Sequence, residues 1–221
     1  MQDNRERNAM IVAIEGIDGA GKNTLVGRLR EALDVPVRVI AFPRYEVSIH
    51  AQLAREALYG RMGDMTQSPY AMATLFALDR CGARDDIAPR DGELVILDRY
   101  VASNAAYSSA RLGGAEGNPE VVQWVYDLEF GRLKLPHPDL QIFLDTDVAL
   151  AAERAAGRAA QDATRAKDEY EKDDALQAHT AAAYRRLAAA EWGGPWLVTS
   201  DADRVIEAVR ALFGAGSEDA I

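Results

Sequence analysis

The chain predicts an α/β fold, a doubly wound parallel five-stranded sheet with helices on both faces, and three features carry that expectation. Apolar runs at 10–15, 37–42, 94–98, 140–145 and 196–199 alternate with stretches of helical spacing, the pattern of a parallel sheet built from strand and helix in turn. The first run opens straight into a glycine-rich turn that ends in a lysine. The third and fourth close on acids, Asp98 and Asp145, at the strand ends where open α/β sheets bind their ligands.

At 221 residues the chain can bury one full core, while two independent domains would be cramped. Its 48% hydrophobic content is that of an ordinary globular protein. A net charge of −10 argues against a nucleic-acid polymer or an anionic membrane as partner, because both would be repelled on average. An anionic small molecule stays open wherever arginines cluster. No apolar run reaches the ~18 residues of a membrane span, and residues 1–9 are too polar for a signal peptide. The lone cysteine, Cys81, excludes an intramolecular disulfide and points to a reducing cytoplasm, with the thiol itself as packing.

Taken in order, residues 1–9 lack apolar periodicity and read as a disordered polar extension before the first strand. The turn that follows, Gly16, Ile17, Asp18, Gly19, Ala20, Gly21, Lys22, Asn23 and Thr24, fits the phosphate-loop pattern G-x-x-x-x-G-K. Only Asn23 departs from it, standing where Ser or Thr is usual. Glycines suit the task because backbone N–H groups can wrap a phosphate only where side chains are missing. Lys22 adds a point charge, and the helix that begins near it, with Leu25, Val26, Leu29 and Leu33 on one stripe, aims its positive end at the anion. The plain alternative is an ordinary glycine-rich turn, and the strand before and amphipathic helix after count against it.

The second strand stops at Pro43, which cannot donate to a ladder, and leads to Arg44 and Tyr45. Helical spacing returns over 48–59 and ends at Gly60 and Gly63. The stretch 67–87 reads as one long helix with Ser68 as N-cap and Pro69 as first residue. Phe76, Arg80 and Arg84, four apart, then share a face on which a ring and a guanidinium could clamp a flat polar base. Spacing alone favours a core Phe beside a solvated Arg. Past Asp98-Arg99-Tyr100, helical spacing from about 103 puts Asn104 and Tyr107 on one side. Gly113, Gly114 and Gly117 interrupt the chain before a helix from Pro119 to about 131. Residues 153–174 mix basic and acidic side chains, which on composition is a solvated helical face. A long helix runs on to about 192, and the last strand follows Pro195. A final helix over about 203–213 precedes a tail, 214–221, read as disordered.

Five stretches together resemble the thymidylate kinases, most closely their actinobacterial members: EGIDGAGKNT at 15–24, FPRY at 42–45, YAMATLFALDR at 70–80, LDRYVASNAAY at 97–107, and a basic segment ahead of Tyr170-Glu171. The match covers nearly all of 10–213 and is far more specific than the phosphate loop alone. The resemblance implies a single domain over 10–213, P-loop nucleoside monophosphate kinase-like, with a lid segment at about 154–168. It implies transfer from ATP, with Mg2+, to dTMP, giving dTDP, in a cytoplasmic enzyme of nucleotide biosynthesis that forms a homodimer.

By the same resemblance, ATP lies on residues 16–24 with Arg154 and Arg158 from the lid. Phe76 stacks on thymine, Arg80 and Asn104 hydrogen-bond its edge, and Tyr107 sits where a ribose 2′-hydroxyl would be. Arg99 and Tyr45 hold the acceptor phosphate, with Phe42 and Tyr170 completing that pocket. Lys22, Arg99, Arg158, Arg165 and Asp18 carry the catalysis. Residues 17–20 include no basic side chain, so the charge on the transferring group falls to Arg154, Arg158 or Arg165; Gln161 stands where close relatives have a further arginine. With no hydroxyl at Asn23, metal is expected at Asp18 and Glu171. An acceptor phosphate is mostly deprotonated at neutral pH and needs no general base. His50, His137 and His179 are therefore expected to be structural or solvent-facing. Two rivals stay open: another P-loop kinase, such as a deoxynucleoside kinase whose hydroxyl acceptor needs a base, and a nucleotide-switch regulator that needs no second pocket.

Overall fold

The computed structural model describes residues 9–161, 170 and 173–214, with the backbone alone at 158–161 and 214. All but residue 9 of the expected extension at 1–9, all but residue 214 of the tail at 214–221, lid residues 162–168 with Arg165, and Glu171 lie outside the described residues. Strands β1 (Met10–Glu15), β2 (Val37–Ala41), β3 (Leu94–Asp98), β4 (Leu140–Phe143) and β5 (Trp196–Val198) form one all-parallel sheet in the order β2-β3-β1-β4-β5. Ile14 pairs with Asp98 and Glu15 with Phe143. The carboxyl ends of the three middle strands are thus level, and the loops leaving them converge.

Both faces of the sheet are covered, as a parallel sheet requires. Along β1 and β3, Val12, Ile14, Leu94 and Ile96 pack with Leu25 and Leu29 of α1 (Lys22–Ala32) and Val205 and Val209 of α9 (Ala202–Gly214). The alternate positions Ile11, Ala13, Val95 and Leu97 pack with Val101 and Ala105 of α5 (Val101–Gly113), Val125 of α6 (Pro119–Tyr126) and Tyr184 and Leu187 of α8 (Asp174–Ala189). A two-residue side-chain period sends neighbouring residues to opposite cores. Glu15 sits inside the second core as a fully buried carboxylate, accepting from Tyr100 N (2.9 Å), Ser103 Oγ (2.6 Å) and Tyr184 OH (3.0 Å). Burial raises its pKa despite those bonds.

The remaining helices are α2 (Ile49–Leu58), α3 (Pro69–Cys81), α4 (Arg84–Ile87) and α7 (Val148–Gln161). Ser48 and Ser68 cap α2 and α3 by accepting from Ala51 N and Ala71 N, and Pro69 is the first residue of α3, as the sequence indicates. The single helix expected over 67–87 is, however, three pieces: a 3-10 turn at Met65–Gln67, then α3 and α4. Asp79 O accepts from Arg44 Nη2 (2.8 Å), while the Ala83 N–H, its partner in a continuing α-helix, goes to Arg80 O (3.0 Å). A Cβ on Gly82 would stand 3.2 Å from that same guanidinium. Arg84 consequently leaves the face shared by Phe76 and Arg80 and lies exposed on α4. The helix expected to reach 131 likewise changes after α6 into a π-helical turn, Asp127–Arg132. Among the described residues no helix is long and apolar enough to cross a membrane.

Candidate active site

The loop from β1 to α1 turns on left-handed glycines, Gly19 at φ 87° and Gly21 at φ 99°, values that side-chain-bearing residues rarely adopt. Gly21 caps α1 without a side chain, which leaves orphan N–H groups of the first turn for an anion. At Gly19 a Cβ would overlap the Ala151 carbonyl of α7, so only glycine lets the loop touch that helix. Thr146 Oγ1 donates to Ala20 O (2.9 Å) and fixes the loop from the β4 side. Lys22 Nζ donates to Gly16 O (3.2 Å) and Ile17 O (3.1 Å), so its ammonium is folded over the loop it serves. Burial, helped by the nearby Arg99 charge, brings the Lys22 pKa down to about 8. Arg154, exposed on α7, has Nη1 3.9 Å from where a Cβ on Gly21 would stand.

Asp18, in the middle of the loop, gathers the next group. Arg99 Nη2 donates to Asp18 Oδ1 (2.6 Å), while Tyr107 OH (3.3 Å) and Gln177 Nε2 (3.2 Å) reach Oδ2. Burial alone would raise the Asp18 carboxyl, but the Arg99 and Lys22 charges outweigh it and hold its pKa below the ordinary value. Arg99 sits at φ 66°, a left-handed conformation that is uncommon outside glycine, and its guanidinium lies 5.3 Å from the centre of the Tyr107 ring. Tyr107 stacks on Tyr170 with ring centres 6.1 Å apart. Arg111, one turn further along α5, covers Tyr170 and donates to its hydroxyl (2.5 Å) and to Thr66 O.

A second cluster lies between α3, α5 and the π turn. Arg80, 3% exposed, makes a bidentate pair with the fully buried Glu129, Nε to Oε2 at 2.5 Å and Nη2 to Oε1 at 2.7 Å. Asn104 Nδ2 donates to the same Oε1 (2.7 Å) and to Ala73 O (2.9 Å). Arg80 is therefore not the solvated side chain that spacing alone favours. Burial would lower its pKa, and Glu129 more than reverses that. Phe76 and Tyr170 both border the apolar cluster of Ala54, Ala57, Leu58 and Met72, which joins this region to the Asp18 group. Phe42 is 5% exposed and packs on Tyr100, and Tyr45, just past the cis Phe42-Pro43 bond, has its ring under Arg55.

The structure thus brings Lys22, Asp18, Arg99, Tyr107 and Tyr170 into one network and Arg80 and Asn104 into another. Arg158 belongs to α7 by its backbone. Sequence reasoning overlooked Glu129, Gln177 and the free oxygen of Asp98. Asp98 Oδ1 is buried at the end of β3 and has no hydrogen-bond partner among the described residues. The acid at that strand end was visible in the sequence, whereas Glu129 and Gln177 carry no motif and meet their partners only through the fold.

A parallel sheet in this strand order, with a glycine-turned phosphate loop leaving its middle strand and a polar cluster facing it, defines a P-loop kinase. The thymidylate kinase family model matches residues 14–212. Thymidylate kinase of Mycobacterium tuberculosis is 54% identical over 195 residues, covering 86% of this chain and 90% of that one. Thymidylate kinase of Bifidobacterium longum is 34% identical over 213 residues, covering 93% and 96%. The solved thymidylate kinase of Candida albicans shares the fold at a TM-score of 0.69 with 22% identity, covering 93% of this chain and 91% of that one. The chain belongs to the thymidylate kinase family.

Proposed function

We propose how this chain carries out its family's reaction, the ATP-dependent phosphorylation of dTMP to dTDP. The ATP phosphates lie on the amides of 16–24 with Lys22 along their flank, and the dTMP phosphate is held by Arg99 and Tyr45. Thymine stacks on Phe76 and meets Arg80 and Asn104 at its edge. Tyr107, backed by Tyr170, closes the sugar site. One observation supports this reading most: Asp18 is in the field of both Lys22 and Arg99, so the cation of the donor site and the cation of the acceptor site converge on one carboxylate. Two anions placed in line with their charge balanced are most of what phosphoryl transfer requires of a protein.

Magnesium fits the donors present. It favours hard oxygens, commonly one or two carboxylates completed by phosphates and water, and Asp98 Oδ1 is such an oxygen with its demand unmet. Asp18, by contrast, has both oxygens engaged by Arg99, Tyr107 and Gln177. Asp98 would hold the ion together with Asp18 and Glu171, and the ion would neutralise polyphosphate charge. Arg154 and Arg158 on α7 supply the cations for the transferring group, and the lid at about 154–168 excludes water when it closes. Arginine suits that place because its planar fork binds two oxygens at once and keeps its charge. A homodimer and a cytoplasmic setting are part of the same proposal.

The deciding experiment is a coupled ADP-release assay with magnesium ATP across dTMP, dUMP, dCMP, dGMP and thymidine. Turnover with dTMP far above the others is expected. Turnover of thymidine without dTMP would instead indicate a deoxynucleoside kinase, and no affinity for dTMP would indicate a nucleotide switch.

A further inference from the structure

We propose that Glu129 is a positioning residue that selects the base, by fixing which way the Asn104 amide faces. The inference rests on the reading of Arg80 and Asn104 as the base-edge contacts. Both hydrogens of Asn104 Nδ2 are committed, one to Ala73 O (2.9 Å) and one to Glu129 Oε1 (2.7 Å). Each partner can only accept, so the amide has a single orientation that satisfies it. What Asn104 has left for a ligand is its carbonyl oxygen Oδ1, an acceptor. The same carboxylate takes Nε and Nη2 of Arg80 and leaves the Nη1 edge, a donor. A donor beside an acceptor matches the 4-oxo group and N3–H of thymine or uracil. Cytosine presents an amino group and an unprotonated N3, so it meets donor against donor and acceptor against acceptor.

Burial makes this arrangement selective. Glu129, Arg80 and Asn104 are at most 5% exposed, so water cannot substitute for a mismatched contact. The π-helical turn that carries Glu129 is a rare backbone form often found at functional sites, and here it delivers one carboxylate to two side chains from different helices.

The test is Glu129→Leu, which keeps a similar volume but removes the acceptor shared by Arg80 and Asn104, so the Asn104 amide is free to turn over. The variant is assayed with dTMP and dCMP at a temperature where circular dichroism shows it folded. At least a tenfold narrowing, roughly, of the dTMP to dCMP ratio in kcat/KM is expected, with the KM for ATP within about twofold of the unaltered enzyme. In an Asn104→Ala background the same substitution should change the ratio by less than about threefold, because its effect runs through Asn104. A purely structural role would lower both activities together and leave their ratio alone. A folded Glu129→Leu enzyme whose ratio stays within about twofold of the original overturns the assignment. If the unaltered enzyme does not phosphorylate dTMP at all, the proposed function falls first and this inference falls with it. Should the variant not fold, exchange of the Asn104 side-chain amide protons, followed by NMR in the unaltered protein, decides the question. Protection of both protons with and without dTMP supports the assignment, and free exchange in the unliganded protein overturns it.

Discussion

At the end of β1 the chain offers an anion main-chain amides and a lysine that meanwhile leans on two carbonyls of its own loop. Between α3 and α5 it offers a base side chains that have already satisfied one another around Glu129. The first region is poised and incomplete: on the proposed reading a phosphate displaces the Lys22 contacts and settles its partly buried charge. The second is preorganised, so the nucleotide meets a surface whose donors and acceptors are already assigned. Discrimination between similar bases needs a surface that does not adapt.

Substitutions at the two ends should therefore fail in different ways. Lys22→Ala is expected to lower kcat/KM by about 10³-fold or more, as removal of a cation at a transferring phosphate does, with the thermal midpoint nearly unchanged or raised because a partly buried charge is gone. A large fall in stability would show that the loop is structural rather than poised. Arg80→Ala should do the reverse. It strands a buried carboxylate and should lower the unfolding free energy by about 3–5 kcal/mol in a urea titration, with dTMP binding lost and ATP binding kept. Little change in stability would mean the second region is less fixed than its bonds indicate. For the lid, Arg158→Ala should reduce kcat by at least ~10²-fold with little change in the KM for dTMP, since only the transition state is served. Equal losses in substrate and product binding would contradict that.

The smallest expected effect is one of pH. Lys22 in the folded protein titrates near about 8 against its ordinary 10.5, so between those values the unfolded chain holds a proton that the folded chain has shed. The group therefore adds stability as pH rises through that window and subtracts from it below 8. Binding of polyphosphate calls the proton back, so ATP affinity should weaken by up to about fivefold between pH 8 and pH 9, measured by titration calorimetry. The slope should vanish in Lys22→Ala, and a slope that persists there would assign the titration to another group.

The same contrast governs what the sequence could disclose. The phosphate loop is contiguous, its residue types follow from backbone geometry, and strand, loop and helix appear where their spacing places them. The sheet and its two covering layers were equally legible, since the unbroken apolar runs of β1 and β3, buried on both faces, are written in the residues themselves. The Arg80 cluster was not. Glu129 lies 49 residues from Arg80 and 25 from Asn104, and no local pattern distinguishes it from a solvated acid. Helix spacing was misleading for the same reason at 67–87, where the break depends on Arg44 reaching from a distant loop to take the Asp79 carbonyl. The resemblance to known kinases named Arg80 and Asn104 and said nothing of the carboxylate between them.

Gly19 joins the loop to α7 so closely that no Cβ fits between its Cα and the Ala151 carbonyl. The helix bearing Arg154 and Arg158 thus rests its first turn directly on the loop proposed to cradle the donor nucleotide. Any side chain at position 19 would act as a wedge, tilting both arginines away in a single stroke without altering either of them.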